Sequence, residues 1–185
     1  VLNELLDGLA LCGVAPNGVE RKGTKYVDQV SLVANPDGPL AAQVFKTRID
    51  PFVQKLSFIR IFSGRLAKDQ TIPASGVRKG VKLGPLLLAQ GGETEPVDEA
   101  VAGQIVAIAK MDDLHTGTSL GEVAMPPFPF PRPRVGLAVS PKNRNDENKL
   151  SASLHKIVEE DSTFKLERDM QTSVLVMFGM SDLHL

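Results

Sequence analysis

The chain has 185 residues, 42% of them hydrophobic, with 21 basic and 22 acidic side chains and a formal net charge of -1. This length allows one domain or two small ones, and two are favoured; the balanced charge excludes a polycation that coats nucleic acid indiscriminately, so any RNA contact must come from a local patch. One cysteine, Cys12, excludes an intrachain disulfide, no apolar run reaches the roughly 18 residues of a membrane span, and nothing at Val1 resembles an export signal, so a reducing cytoplasm is the expected setting.

In chain order, residues 1–11 place Leu2, Leu5, Leu6 and Leu9 at helical spacing, and Gly13 and Pro16 end the predicted helix. Residues 17–25 are glycine-containing and charged and read as an exposed loop. Because Val1 falls inside a formed pattern, the chain reads as a piece of something longer. Residues 27–125 then carry short β-rich runs broken by Gly, Pro, Asp and Asn, spaced as in an all-β barrel. Candidate strands are 41–48, 55–66, 70–73, 82–88 and 104–109. In the second of these, alternation puts Leu56, Phe58 and the stem of Arg60 on one side, and Ala67-Lys68-Asp69 is short enough to join it to the next strand as a hairpin. Closure into a barrel would remove the edges that so many strands otherwise expose.

Met125 opens MPPFPFPRPR, whose five prolines cannot donate ladder hydrogen bonds, and residues 126–134 are predicted to link two domains. Beyond it the period changes. An apolar strand at 135–139, a helix at 146–160 and strands at 163–168 and 173–178 give β-α-β-β. Leu150, Leu154, Ile157 and Val158 share one helix face, Asn145 is the expected N-cap, and Asp146 and Glu147 suit the N-terminal dipole. A second helix is expected to start at Asp182, so one sheet face and one edge of the unit would be covered by a neighbouring molecule in any ordered form.

Motifs for catalysis are weak. Residues 18–25 nearly spell a phosphate-binding loop, but Thr24 precedes Lys25 and no apolar strand leads into it, so a solvated loop is the better reading. His115, His155 and His184 have no ligand spacing between them, and Asp112, Asp113 and His115 read as turn chemistry. No cofactor or metal and no catalytic residue is expected in this chain. Basic residues gather at Arg132, Arg134, Lys142, Arg144 and Lys149 against Asp146 and Glu147, and again at Arg78, Lys79 and Lys82. These clusters either touch RNA phosphates or are solvated faces, the commoner fate of a charge run. The phenylalanines mostly occupy core-like positions, so no aromatic stacking platform is expected.

Several strings in order resemble one family. Val44-Phe45-Lys46-Thr47, Asp50-Pro51-Phe52-Val53, Leu56-Ser57-Phe58 and Arg60-Ile61-Phe62-Ser63-Gly64 are similar to V-F-K-T, D-P-F-V-G-x-L-x-F and R-V-Y-S-G of bacterial elongation factor G, the translocating GTPase of the ribosome. Ala102-Gly103-Gln104-Ile105-Val106-Ala107 and Thr116-Gly117-Thr118-Ser119-Leu120 resemble A-G-D-I-V-A and T-G-D-T-L of the same domain, and Leu5-Leu6-Asp7 looks like the helix closing the GTPase domain. Pro141-Lys142, Lys149-Leu150, Glu159-Glu160-Asp161 with Phe164, and Gly179-Met180-Ser181-Asp182-Leu183-His184-Leu185 resemble the family's domain III text.

The resemblance implies the end of a GTPase domain in residues 1–26, a domain II barrel in 27–125, and a ferredoxin-like domain III, incomplete at its C-terminal end, in 135–185. It implies a ribosomal partner, with domain II on small-subunit RNA, and a GTPase domain of the same parent that binds GTP with magnesium. Neither DNA nor membrane is an expected partner. Arg78, Lys79, Lys82, Arg132, Lys142 and Arg144 are then candidate rRNA contacts. Gly179, Leu183 and His184 are candidates for the GTPase-facing surface, or else for a strand-to-helix turn with a capping role. Gln54 for Gly, Gln104 and Thr118 for Asp, Ser162 for Pro and Ser181-Asp182 for Gly-Glu depart from the family text and suggest a divergent paralogue acting in translocation, recycling or another ribosomal task. The alternatives are a tetracycline-protection or release-factor GTPase within the family, and a self-standing β-barrel protein-interaction module outside it.

Overall fold

The structure is a computed structural model, and it describes residues 21–25, 28–50, 54–90, 93–172 and 174–185. The predicted helix over 1–11, Cys12 and Pro51-Phe52-Val53 lie outside the described residues. The first unit, Val1–Pro127, contains β1 (Arg21–Lys25), β2 (Asp28–Leu32), β3 (Ala41–Asp50), β4 (Gln54–Ser63), β5 (Arg65–Ala67) and β6 (Thr71–Ile72). It continues with β7 (Val81–Lys82), β8 (Leu86–Gln90), β9 (Glu93–Val97), β10 (Glu99–Val101), β11 (Ile105–Ala109) and β12 (Ser119–Gly121).

Six of these strands form one antiparallel sheet in the order β12-β3-β4-β11-β8-β9. The pair β5-β10 extends it past Gly64, where a φ of 79° breaks the long strand expected over 55–66. An isolated bridge between Ala74 and Leu120 ties the connection between β6 and β7 to β12. The sheet therefore curls on itself, and nine strands deliver side chains to one core: Ala42, Val44, Ile59, Ile61, Leu66, Ile72, Val81, Leu86, Ala100, Val106, Ile108 and Leu120. Each large aliphatic side chain in it contributes about 2 kcal/mol by leaving water. The unit is the expected β-barrel.

Several local expectations are corrected. Leu56, Phe58 and Arg60 share one side of β4 as expected, but the main core lies on the other, at Ile59, in register with Val44 of β3 and Val106 of β11, and at Ile61, in register with Ala42. Part of the second side is covered as well: Leu32, Ala41, Val123 and Met125 bury against one another with Phe62 beside them, while Lys46 and Arg48 of β3 stay exposed. A bulge between Val44 and Lys46 resets the alternation.

The hairpin expected through Ala67-Lys68-Asp69 does not form. Asp69 turns with a φ of 60°, and β5 pairs with β10 while β6 pairs with β7. Gly84-Pro85 splits the strand expected over 82–88 into β7 and β8, since Pro85 has no N–H to give. Arg21–Lys25, expected as loop, is strand β1, antiparallel to β2, which shows that polar residues make a ladder when a neighbouring segment supplies backbone partners.

The end of this unit is strapped to the barrel. Gln43, almost fully buried, donates its side-chain amide to the carbonyls of Pro126 (3.1 Å) and Gly117 (3.4 Å), and the Ser119 hydroxyl accepts the Met125 N–H at 2.9 Å. These bonds satisfy polar groups that burial would otherwise penalise by about 1–3 kcal/mol each.

The second unit, Phe128–Leu185, contains β13 (Val135–Val139), a 3-10 turn at Arg144–Asp146, α1 (Glu147–Glu160), β14 (Lys165–Arg168) and β15 (Leu175–Gly179). The sheet order β13-β15-β14, all antiparallel, places the last strand in the middle, as a ferredoxin-like β-α-β-β half requires. The N-cap of α1 is Asp146 rather than Asn145, because the 3-10 turn carries the backbone one residue further, and Asp146 makes no side-chain capping bond. From Ser181 the chain makes a turn rather than the expected helix, with the N–H groups of His184 and Leu185 both on the Ser181 carbonyl.

Candidate functional site

Arg78 and Lys79 lie in the loop between β6 and β7, both exposed, and neither makes an ion pair among the described residues. Lys82, on β7, is exposed too but sits 3.5 Å from the Asp69 carboxylate, an open pair worth at most about 1 kcal/mol. The fold thus brings the three cations to one hairpin and leaves two with their full charge facing water. On the second unit Arg132 and Lys142 are exposed at opposite ends of β13, so they do not form one patch, and the Arg144 side chain lies outside the described residues. Asp112, Asp113 and His115 are an exposed turn.

The other predicted cluster separates into an internal latch and an exposed contact. Asp161, the C-cap of α1, accepts the Thr163 N–H (2.8 Å) and hydroxyl (2.6 Å) on one oxygen and faces His184 Nε2 at 3.1 Å on the other. The Met180 N–H donates to His184 Nδ1 at 3.1 Å, so the neutral ring carries its proton on Nε2, toward Asp161. Phe164 stacks on the imidazole with centroids 3.9 Å apart. Gly179 closes the cluster, since a Cβ there would lie 2.9 Å from Leu185 Cγ and 3.3 Å from Phe164 Cε1. His184 and Gly179 are therefore committed to tying the 180–185 turn to the end of α1. Leu183, beside them, exposes its whole side chain. Nothing in its spacing distinguished it from its neighbours.

Partial burial alone would raise the Asp161 carboxyl, but the hydrogen bonds from the Thr163 hydroxyl and N–H and from His184 outweigh it and hold the group below the ordinary carboxylate range. A lowered folded value means the latch contributes stability above the unfolded carboxylate pKa of about 3.9 and loses that contribution as pH falls through the folded value. Asp161→Asn should accordingly destabilise the second unit more at neutral pH than at a pH well below the unfolded carboxylate value of about 3.9, where the charge contributes less. Urea unfolding at the two pH values checks this; an equal loss at both would show that the charge is irrelevant.

Two of the residues that depart from the sequence text of the similar family keep a turn closed. The Gln104 side-chain oxygen accepts the Val101 N–H at 2.8 Å, and the Thr118 hydroxyl accepts the His115 N–H at 3.2 Å. Both are acceptor roles that an Asp side chain would also serve.

Comparison with known proteins meets this architecture unit by unit. Residues 39–123 match the family model described as elongation factor G domain 2, and residues 130–185 match elongation factor G, domain III. The chain belongs to the elongation factor G family. Its barrel is domain II and its β-α-β-β unit is domain III, so the chain carries a translation elongation factor portion. An elongation factor G of Dinoroseobacter shibae is 36% identical over 156 residues, which are 82% of this chain and 22% of that protein. The crystal structure of a protein from Thermus thermophilus is similar with a TM-score of 0.69 and 35% identity, over 80% of this chain and 23% of that one. The chain thus spans about a fifth of the length of its curated elongation factor G relative. Among the described residues no helix is long and apolar enough to cross a membrane.

Proposed function

We propose that this chain is the ribosome-engaging, non-catalytic portion of a cytoplasmic, elongation factor G-like translational GTPase that promotes GTP-dependent translocation or ribosome recycling. The observation that carries the reading is the β6-β7 hairpin of domain II, which holds Arg78 and Lys79 exposed and without ion-pair partners among the described residues on a strand pair tied to the barrel. Exposed cations without ion pairs among the described residues suit the phosphates of small-subunit ribosomal RNA, where each contact releases a counterion. In this reading Leu183 is the domain III contact for the GTPase domain of the same parent, and His184 and Gly179 position the turn that presents it.

GTP and its magnesium belong to that GTPase domain and not to this chain. Residues 18–25, the nearest approach to a phosphate loop, have Thr24 and Lys25 in the wrong order, and Arg21–Lys25 is paired with β2 as a strand.

The test is cosedimentation of the chain with isolated small ribosomal subunits. Arg78→Glu with Lys79→Glu should weaken binding by about tenfold or more and flatten its salt dependence by roughly one to two units of slope. Binding that is unchanged by the reversal would remove domain II's hairpin from the interface.

A further inference from the structure

We propose that the helix-free face of the domain III sheet is a stacking site for one or two bases of single-stranded RNA. Strand alternation gives this sheet two faces. One carries Leu166, Arg168, Leu175 and Met177 and lies under α1, whose Glu147 pairs with Arg168 at 3.5 Å. The other presents Gly136, Ala138, Val176, Phe178, Lys165 and Glu167, and none of these is fully buried.

At the centre of that open face Phe178 lies across its cross-strand partner Gly136. A Cβ on Gly136 would come within 2.7 Å of Phe178 Cε1 and 2.9 Å of Cδ1, so only glycine lets the ring lie down on the sheet. Around the ring is an open cavity of about 560 Å³, lined by Phe130, Arg132, Ser162, Lys165, Glu167 and Phe178 among others. Phe130, largely exposed, is braced edge-on by Phe128, with centroids 5.8 Å apart. The segment carrying it is fixed to this sheet, since the Arg134 N–H donates to the Gly179 carbonyl at 2.9 Å.

The chemistry of the rim selects the occupant. Arg132 is exposed and makes no ion pair among the described residues, Lys165 pairs with Glu167, and Arg134 is exposed nearby in sequence. Asp161, next to Ser162, is already engaged by Thr163 and His184. An aromatic floor with cations at its margin is what a base with a phosphate on each side requires: the ring gives stacking, the guanidinium meets the phosphate, and the Ser162 hydroxyl is within the same cavity for a base edge. An apolar protein surface laid on the same face would desolvate Arg132 and the Lys165–Glu167 pair without return. The placement of Phe178 on the uncovered face depends on strand register, which the sequence reading of the phenylalanines as core-like positions did not include.

The site goes beyond attachment through domain II, and its test is independent of that reading. The chain is titrated into a fluorescein-labelled single-stranded RNA of roughly ten nucleotides, within the usual footprint of such platforms, and anisotropy is followed. Phe178→Leu, which keeps an apolar cover over Gly136, should weaken binding by about tenfold. Arg132→Gln should weaken it severalfold and reduce the salt slope by about one. An abasic strand of equal charge should fail to compete. Unchanged affinity of Phe178→Leu, equal competition by the abasic strand, or no RNA binding by a chain that still sediments with small subunits would each overturn the proposal. If Phe178→Leu melts early, the Arg132→Gln variant, altered only at an exposed side chain, and the abasic competitor still decide it.

Discussion

Gly121→Ala should destabilise domain II by about 3 kcal/mol or more, the largest effect expected from a methyl group added at any of the described glycines. Gly121 closes β12 with a φ of 101°, and a Cβ on it would lie 2.0 Å from the Leu40 carbonyl oxygen and 2.7 Å from its carbonyl carbon. The obstacle is backbone, so no rotamer change relieves it. Leu40 cannot retreat without loss either, because its carbonyl accepts the Glu122 N–H at 3.2 Å and the next residue, Ala41, is the register partner of Gly121. The Gly121 N–H in turn binds the Pro73 carbonyl at 2.9 Å, so the same residue joins three segments of the barrel. Gly103→Ala is the matched control: its φ is 96°, nothing lies within 4 Å of the added carbon, and it should cost only the conformational part, about 1–2 kcal/mol. Chemical unfolding followed on the barrel distinguishes them, and equal losses in the two variants would refute the steric argument.

Ile59→Ala should cost domain II about 4 kcal/mol. Ile59 is fully buried at the middle of the central strand pair, in register with Val44 on one side and Val106 on the other, both also in the core. Removing it leaves a cavity walled by strands paired on both sides, which have little freedom to collapse inward. Leu88→Ala, at a position of β8 that is 38% exposed, should cost much less, about 1 kcal/mol. The comparison reads the assignment of faces directly: a small loss at Ile59 would mean that the core lies on the side of Leu56 and Phe58 after all. Two units give room for two unfolding transitions, so the signal must come from the barrel.

Much of the architecture was legible in local chemistry. The proline-rich run from Pro126 marks a change of unit because prolines cannot extend a ladder, and the helix with Leu150, Leu154 and Ile157 follows from 3.6-residue spacing. The β-α-β-β order followed from those two facts and the flanking apolar runs. The candidate site was legible only as charge: Arg78 and Lys79 were visible as cations on a glycine-bounded loop, while their having no ion-pair partner among the described residues needed the fold. Leu183 could not be told from His184 by sequence, although one is fully exposed and the other bonds through both ring nitrogens.

The sequence by itself determined most element types, though not the strand at Arg21–Lys25 or the turn after Ser181, together with the change of unit at the proline run and the family, because propensity, period and proline are properties of neighbouring residues. Only the tertiary structure decided which side of β4 faces the core, which strands β5 and β6 pair with, and which face of the domain III sheet stays open. The physical reason is the same in each case. Where both faces of a strand are covered, as at Ile59 and Leu56, period-two alternation carries no sign, and the choice falls to partners far along the chain. Gln43 meets Pro126, β5 meets β10, and Phe178 lies on Gly136, and none of these pairings is written in the residues adjacent to either partner.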